Sequence, residues 1–255
     1  MSQLYENPVI FLIGVVALLF AAGCAGAWFN SSRSSVLGET SESLKTIEGA
    51  VLGLLALLLG FSFAMSVNRY DLRKQLEVDE ANAIGTTWLR AGALLEPARS
   101  TEQQLLREYV PVRLEFFSAG MDRAKIDQSL DAAGVLQKKM WAAGSAEAAV
   151  HRDPITALFL STLNDSIDAT EKRTAAFENR IPIAAWVLLL FMASAANALI
   201  GVGASRKSRP LLVVLPFVVG AAMMLIRDLD SSRAGFIRVH QGSMERVARD
   251  IQQVP

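Results

Sequence analysis

The stretch IEGAVLGLLALLLGFSFAMSVNRYDLRKQLEVDEANAIGTTWLR, Ile47–Arg90, decides the fold. Its first part, Ile47–Val67, is apolar. At about 1.5 Å per residue it covers a hydrocarbon layer of about 30 Å. A segment inside lipid must satisfy its own backbone hydrogen bonds, so it is a helix. The second part is densely charged but has no proline, and no glycine before Gly85. Nothing terminates the helix at the membrane surface. One rod is expected to leave the bilayer and run on for several turns.

Outward from this rod lie three more apolar stretches, Pro8–Phe29, Pro182–Gly203 and Pro210–Ile226. The expected architecture is all-α: a polytopic membrane protein with four transmembrane helices and a large helical extramembrane domain. Residues 1–67 form a first hairpin (spans 8–29 and 47–67), 68–181 the domain, 182–226 a second hairpin (spans 182–203 and 210–226), and 227–255 a polar tail packing on the domain. In 68–181 the spacing of apolar residues is helical, with Leu105, Leu106, Tyr109, Val112, Arg113 and Phe116 on one stripe. Breaks at Pro97, Gly120, Gly144 and Pro154 predict helices over 68–95, 101–118, 122–142 and 154–180, with a turn near 145–152.

Of the 255 residues, 52% are hydrophobic, and 25 basic residues balance 25 acidic ones. That composition suits a bilayer and gives no electrostatic pull toward nucleic acid. The one cysteine, Cys24, excludes an intrachain disulfide; it reads as a small packing residue beside Gly23 and Gly26. Two histidines, His151 and His240, have no partners at metal-ligand spacing. There is no glycine-rich phosphate loop, no GxSxG and no metal-binding helix motif, so neither an enzyme nor a cofactor is expected. Asn197 is the polar residue most able to bond across membrane helices. Trp186 fits an interfacial belt, Trp88 and Trp141 read as packing residues of the domain, and Pro216 is a candidate kink.

The first span, with no basic residue before it, reads as a retained anchor. An even number of spans puts both termini and the 68–181 domain on one face. Arg69, Arg73, Lys74, Lys172, Arg173, Arg180, Arg227, Arg233 and Arg238 flank that face; Arg33, Lys45, Arg206, Lys207 and Arg209 flank the other. The balance predicts a cytoplasmic domain.

Two stripes run along the second span. Gly49, Gly53, Ala56, Gly60 and Ala64 allow close helix approach. Leu55, Leu58, Leu59, Ser62, Ser66, Arg69 and Arg73 grade from apolar to cationic, as a pore wall would: an apolar constriction leading into an anion-attracting vestibule. The same residues also fit ordinary packing, with the serines bonded to their own backbone and the arginines reaching headgroups. Phe61 and Phe63 point to different sides, so at most one can face a lumen. Beyond the membrane, Glu80, Asn82, Asp228, Asp230 and Arg233 are candidates for coupling domain to spans. Glu80 is expected to pair with Arg227 or Arg233, or else to belong to a solvated face with pairs such as Arg73–Glu77. Asp228 and Asp230 could hold calcium or bridge to Arg227, Arg69 or Arg73.

The runs FSFAMSVNRYDLRKQLEVDEANAIGTTWLRAGAL (Phe61–Leu94), LREYVPVRLEF (Leu106–Phe116), LNDSIDATEKRTAAFENRIP (Leu163–Pro182) and IRDLDSSRAGFIRV (Ile226–Val239) resemble the bestrophin-like domain family of membrane proteins, and more distantly the bestrophin anion channels. The resemblance implies a homo-oligomeric ring, a pentamer, with an anion pore lined by the second span in a bacterial inner membrane. It places Phe61 and Phe63 as neck aromatics and Asn68, Tyr70, Asp71 and Arg73 just beyond, with Leu72 interrupting the family's pattern. It also implies an acidic calcium clasp after the fourth span, though Asp228 and Asp230 offer fewer oxygens than one requires. The implied partners are the lipid bilayer, other copies of the chain and inorganic ions. The competing reading is a non-conducting membrane scaffold or sensor whose helical domain binds a cytosolic partner.

Overall fold

The computed structural model describes residues 7–32, 41–204 and 209–253. Eight α-helices follow one another there: α1 (Pro8–Ser32), α2 (Ser41–Ala91), α3 (Ala98–Ser118), α4 (Arg123–Val150), α5 (Pro154–Glu178), α6 (Ile183–Gly203), α7 (Val214–Asp230, entered through a 3-10 turn at Arg209–Val213) and α8 (Gly242–Gln253). The rod read from the sequence is real and longer than expected: α2 is 51 residues, unbroken through Gly85. The chain divides into two compact units, residues 1–69 with 180–237, and residues 70–179 with 238–255. In this division residues 227–237 fall with the spans.

The first unit carries the apolar helices. The four candidate spans are Pro8–Phe29, part of Glu42–Ala91, part of Pro154–Gly203, and Pro210–Asp230. Lipid gives apolar side chains no reason to prefer each other, so close backbone approach has to hold such helices together. The α1–α6 crossing supplies it. A Cβ on Gly26 would lie 2.0 Å from the Ala198 carbonyl oxygen, and one on Gly201 2.0 Å from that of Gly23. Nearer the start of α1, a Cβ on Gly220 of α7 would meet Val16 at 2.8 Å. Val15, Leu19, Leu55, Leu189, Met192, Ala193, Ala196, Val219 and Met223 form the dry interior. Phe11 meets Trp186 edge-on at 6.0 Å, and the Arg227 guanidinium sits 5.2 Å from the Phe11 ring.

Three expectations change here, and a fourth falls outside the described residues. Cys24 is exposed, because α1 turns its glycines rather than its thiol toward α6. Asn197 is buried but donates to the Ala193 carbonyl one turn back on its own helix, at 2.8 Å, instead of reaching across. Pro216 stands in the first turn of α7, where a missing N–H needs no partner, so no interior kink is required. Arg33, Arg206 and Lys207 of the expected far-side charges lie outside the described residues, as does the Arg209 side chain.

The second unit is a bundle in water, and there the hydrophobic effect operates. Ile84, Trp88, Leu94, Leu106, Tyr109, Met140, Phe159, Leu163, Met244 and Ile251 share one core. Each large buried side chain contributes roughly 1.5–3 kcal/mol. Helix starts follow local chemistry. Asp122 accepts the Lys125 amide to cap α4, and Asp153 accepts the Thr156 amide to cap α5, with Pro154 in its first turn. Gly120, at φ +56°, makes the turn out of α3.

The turn expected near 145–152 comes later and is shorter, at residues 151–153, because α4 continues to Val150. Gly144 is not a break but a contact residue. A Cβ there would meet Leu160 at 2.9 Å and Phe159 at 3.0 Å, so glycine lets α5 approach α4. Trp141 is exposed, on the side of α4 away from the core, whereas Trp88 packs as expected.

Candidate functional site

The membrane part of α2 is asymmetric. One side packs inside its own unit: Leu55 is buried, Val51, Leu52, Leu58 and Leu59 are half-buried against the same core, and Ser66 is fully buried. Ser66 donates to the Ser62 carbonyl at 3.0 Å, which satisfies its hydroxyl on its own helix. Arg69 reaches Asp230 at 2.9 Å, and Arg73 is buried. The stripe from Leu55 through Ser62 and Ser66 to Arg73 is thus turned toward protein within the single chain.

The other side is open. Leu54, Leu57, Phe61, Met65 and Leu72 recur at three and four, and all are exposed, Phe61 by 63%. Ala50 and Asn68 complete the stripe and are exposed too. Beside it, Gly49, Gly53, Ala56, Gly60 and Ala64 also face outward; a Cβ on any of the three glycines would meet nothing within 4 Å among the described residues. Phe63 is exposed but points nearly opposite to Phe61.

After α7 the chain folds back on its own acids. Asp228 accepts the amides of Phe236 (3.0 and 3.1 Å) and Ile237 (2.9 Å). Gly235 makes this return possible: its φ is +111°, and a Cβ would lie 1.9 Å from Asp228 Oδ1. Asp230 accepts the Ile181 amide at 3.1 Å with both oxygens, and Oδ1 also takes the Arg69 guanidinium. Of the bridges expected for these acids, Arg69–Asp230 is formed, at 2.9 Å. Carboxylates turned onto N–H donors do not fit a calcium cage, which needs six to eight oxygens converging on one point. Arg233 is half-buried on the returning loop.

In the second unit, Glu80 is fully buried, and its partners are not those expected from the sequence. Arg113 of α3 donates through Nε at 2.6 Å, Arg173 of α5 through Nη1, and the Thr170 hydroxyl lies at 3.0 Å. The reason is register: Glu80 faces the same interior as Ala81 and Ile84, where α3 and α5 pack. Burial opposes its ionisation, but the two guanidinium groups outweigh that and hold the carboxyl below the usual range. The arginines rest on aromatic faces, Arg113 5.3 Å and Arg173 3.5 Å from the Phe117 centroid. Arg173 also donates to Gln241, and the Tyr109 hydroxyl ties Thr170 to Gln137.

In the sequence Glu77 reads only as an i,i+4 partner of Arg73. It accepts the amides of Ser243 (2.7 Å) and Met244 (3.0 Å), capping the start of α8 from another helix. Its spacing of three from Glu80 was the available signal. Asn82, by contrast, is exposed and edges a surface hollow of about 330 Å³ with Gly85, Val247 and Asp250.

A family model described as a Bestrophin-like domain matches residues 15–244. Among solved structures, a mutant form of a bacterial bestrophin homologue from Klebsiella pneumoniae is similar at TM-score 0.68 and 13% identity, over 94% of this chain and 95% of that one. A further crystal structure of a bestrophin homologue from that organism gives 0.65 and 13%, over 96% and 97%. A crystal structure described as that of a membrane protein gives 0.65 and 14%, over 96% and 97%. At such identity the likeness is one of fold. No curated protein sequence matches the chain significantly. With four helices of spanning length, the chain is an all-α integral membrane protein.

Proposed function

We propose that this chain, which belongs to the bestrophin-like domain family, assembles into a ring of identical copies and conducts ions, anions in preference, along an axis lined by α2. The observation that carries this reading is the open face of α2. Across the bilayer, most positions of that helix are exposed among the described residues. One strip of it is large and apolar, with Leu54, Leu57, Phe61 and Met65; the strip beside it is small, with Gly49, Gly53, Ala56, Gly60 and Ala64. Small residues let a neighbouring copy's helix approach closely. Large apolar residues then meet around the axis as a narrow, dry constriction.

The preference for anions follows from the lining. No acidic residue occurs between Glu48 and Asp71, so this face offers a cation nothing. A phenyl ring edge carries the positive part of the ring's quadrupole, so a collar of Phe61 edges favours a partly dehydrated anion. Phe61, rather than Phe63, is the neck aromatic in this reading. The cationic vestibule expected of Arg69 and Arg73 has no part in it, since one is bridged to Asp230 and the other buried. The assembly, the bacterial inner membrane and the cytoplasmic position of the 68–181 domain come from the family resemblance and the flanking charges. Calcium has no role in it.

The test is flux. Purified protein in liposomes loaded with chloride should release it at a rate set by protein density. In planar bilayers the reversal potential should follow the chloride gradient. An intact oligomer without any flux would favour the non-conducting scaffold.

A further inference from the structure

We propose that Glu102 is a buried proton-binding site in the extramembrane unit, and that loss of its proton loosens the packing of α3, α4 and α5. The inference goes beyond conduction and holds whether or not the ring conducts.

Glu102 lies in α3 with its side chain entirely shielded from solvent. Neither carboxyl oxygen meets a hydrogen-bond partner of ordinary geometry among the described residues, and the Gly144 backbone N–H favours the charged form by less than burial opposes it. Its surroundings explain this. From α4 it is faced by Gly144, whose missing Cβ would begin 3.4 Å from Glu102 Oε1. From α5, Phe159 and Leu160 crowd the same spot. None of the three brings a charge or a side-chain donor. Three charged groups of this unit have partners elsewhere: Glu147, a turn along α4, contacts His151 at 2.9 Å; Arg99 on α3 pairs with Glu96; Arg90 of α2 donates to the Leu158 carbonyl.

Glu80, in the same unit, provides the contrast. It is as deeply buried but has two guanidinium partners, and it stays charged. Glu102 has none, and an unpaired carboxylate in such a site would cost more than the fold can offset. The site therefore keeps the proton. Burial pushes the Glu102 carboxyl up to about 8.

The sign follows from linkage. Below about 4.5, the unfolded value, both states hold the proton and the stability of the site is fully present. As pH rises from there to about 8, the unfolded chain releases the proton while the folded one retains it, and stability falls. Above about 8 the folded carboxyl ionises as well, placing a charge against Gly144, Phe159 and Leu160. The proton thus acts as a ligand that holds the three helices together, and alkaline pH removes it.

The experiment compares full-length wild type with Glu102→Gln, which keeps the shape and cannot titrate, in thermal and chemical unfolding across this pH range. Relative to the variant, the wild-type unfolding constant should rise by about tenfold per pH unit inside the window and level off above it. A wild-type-to-variant difference that is flat across the range overturns the proposal. Infrared difference spectroscopy gives a second readout that survives failure of the variant to fold. The carbonyl stretch of a protonated carboxylic acid should be present in wild type at neutral pH and vanish at alkaline pH. A spectrum without that band at neutral pH overturns the proposal equally.

Discussion

Asp230, at the end of α7, and Arg69, on α2, meet at 2.9 Å where both helices leave the apolar zone. The pair is largely shielded, with 17% of the arginine side chain and 8% of the aspartate side chain exposed. Asp230 also receives the Ile181 amide just before α6 begins. One carboxylate thus ties three spans together at one end of the first unit. Replacing Arg69 with alanine strips a charged hydrogen bond from it. The expected cost is about 1.5–3 kcal/mol, read by unfolding of the detergent-solubilised protein. Arg69→Lys should recover part of that, because a lysine keeps the charge but not the guanidinium geometry.

Asp228 makes a separate prediction. Its carboxylate is held by the loop that returns after α7, and the return depends on Gly235 at φ +111°. Gly235→Ala adds a methyl group 1.9 Å from Asp228 Oδ1 in a backbone region that L-residues avoid. A loss on the order of 1–3 kcal/mol is expected from the strained backbone. Hydrogen exchange should place the new mobility at the Phe236 and Ile237 amides. Exchange there that is identical to wild type would contradict the role given to Asp228.

The buried Glu80 cluster should fail asymmetrically. Arg113→Ala leaves Glu80 with Arg173 as its one remaining guanidinium partner; Glu80→Ala leaves two guanidinium groups with no carboxylate between them. Breaking such a pair typically costs about 3–5 kcal/mol. Because the folded Glu80 carboxyl is held below its ordinary value, its stabilisation is present above pH 4.5 and is lost as pH falls through the lower folded value. Acid unfolding of wild type should therefore lose one proton-linked component in Glu80→Gln. Glu102 titrates in the opposite sense, so the two carboxyls give opposing limbs of one stability profile.

Glycines on the two sides of the membrane bundle should behave differently. Gly26→Leu or Gly201→Leu drives a side chain into the backbone of the facing helix. A loss of about 1–3 kcal/mol or more is expected, visible as misfolding on solubilisation. Gly60→Ala meets nothing within 4 Å among the described residues and should not lower subunit stability. Its effect, if the ring is built as proposed, falls on oligomer stability in native gels or mass photometry.

Spans, helix class and the long rod were legible in the sequence because lipid imposes a single rule on length and polarity. The Ile47–Arg90 stretch lacked a terminator, and α2 indeed has none. Which side of that rod faces protein was not legible. Serine at Ser66 and arginine at Arg73 suit a wet face by type, but a hydroxyl can bond its own helix and an arginine can be buried within the fold. Glu80 was singled out, yet its partners, 33 and 93 residues away, depend on how α3 and α5 dock. Gly144 was read as a break because composition does not distinguish a turn glycine from one that admits a neighbouring helix. Glu102 and Glu77 went unassigned because a glutamate on a charged helix reads as solvated until its burial is known.

The central claim is that the Phe61 side of α2 lines a conduction path. The direct test is cysteine accessibility in a Cys24→Ala background, which removes the one native, exposed thiol. Chloride current through reconstituted Phe61→Cys protein should be blocked by a membrane-impermeant thiol reagent, while Ser66→Cys, buried within its own unit, should not respond. Block at Ser66→Cys with none at Phe61→Cys would contradict this account.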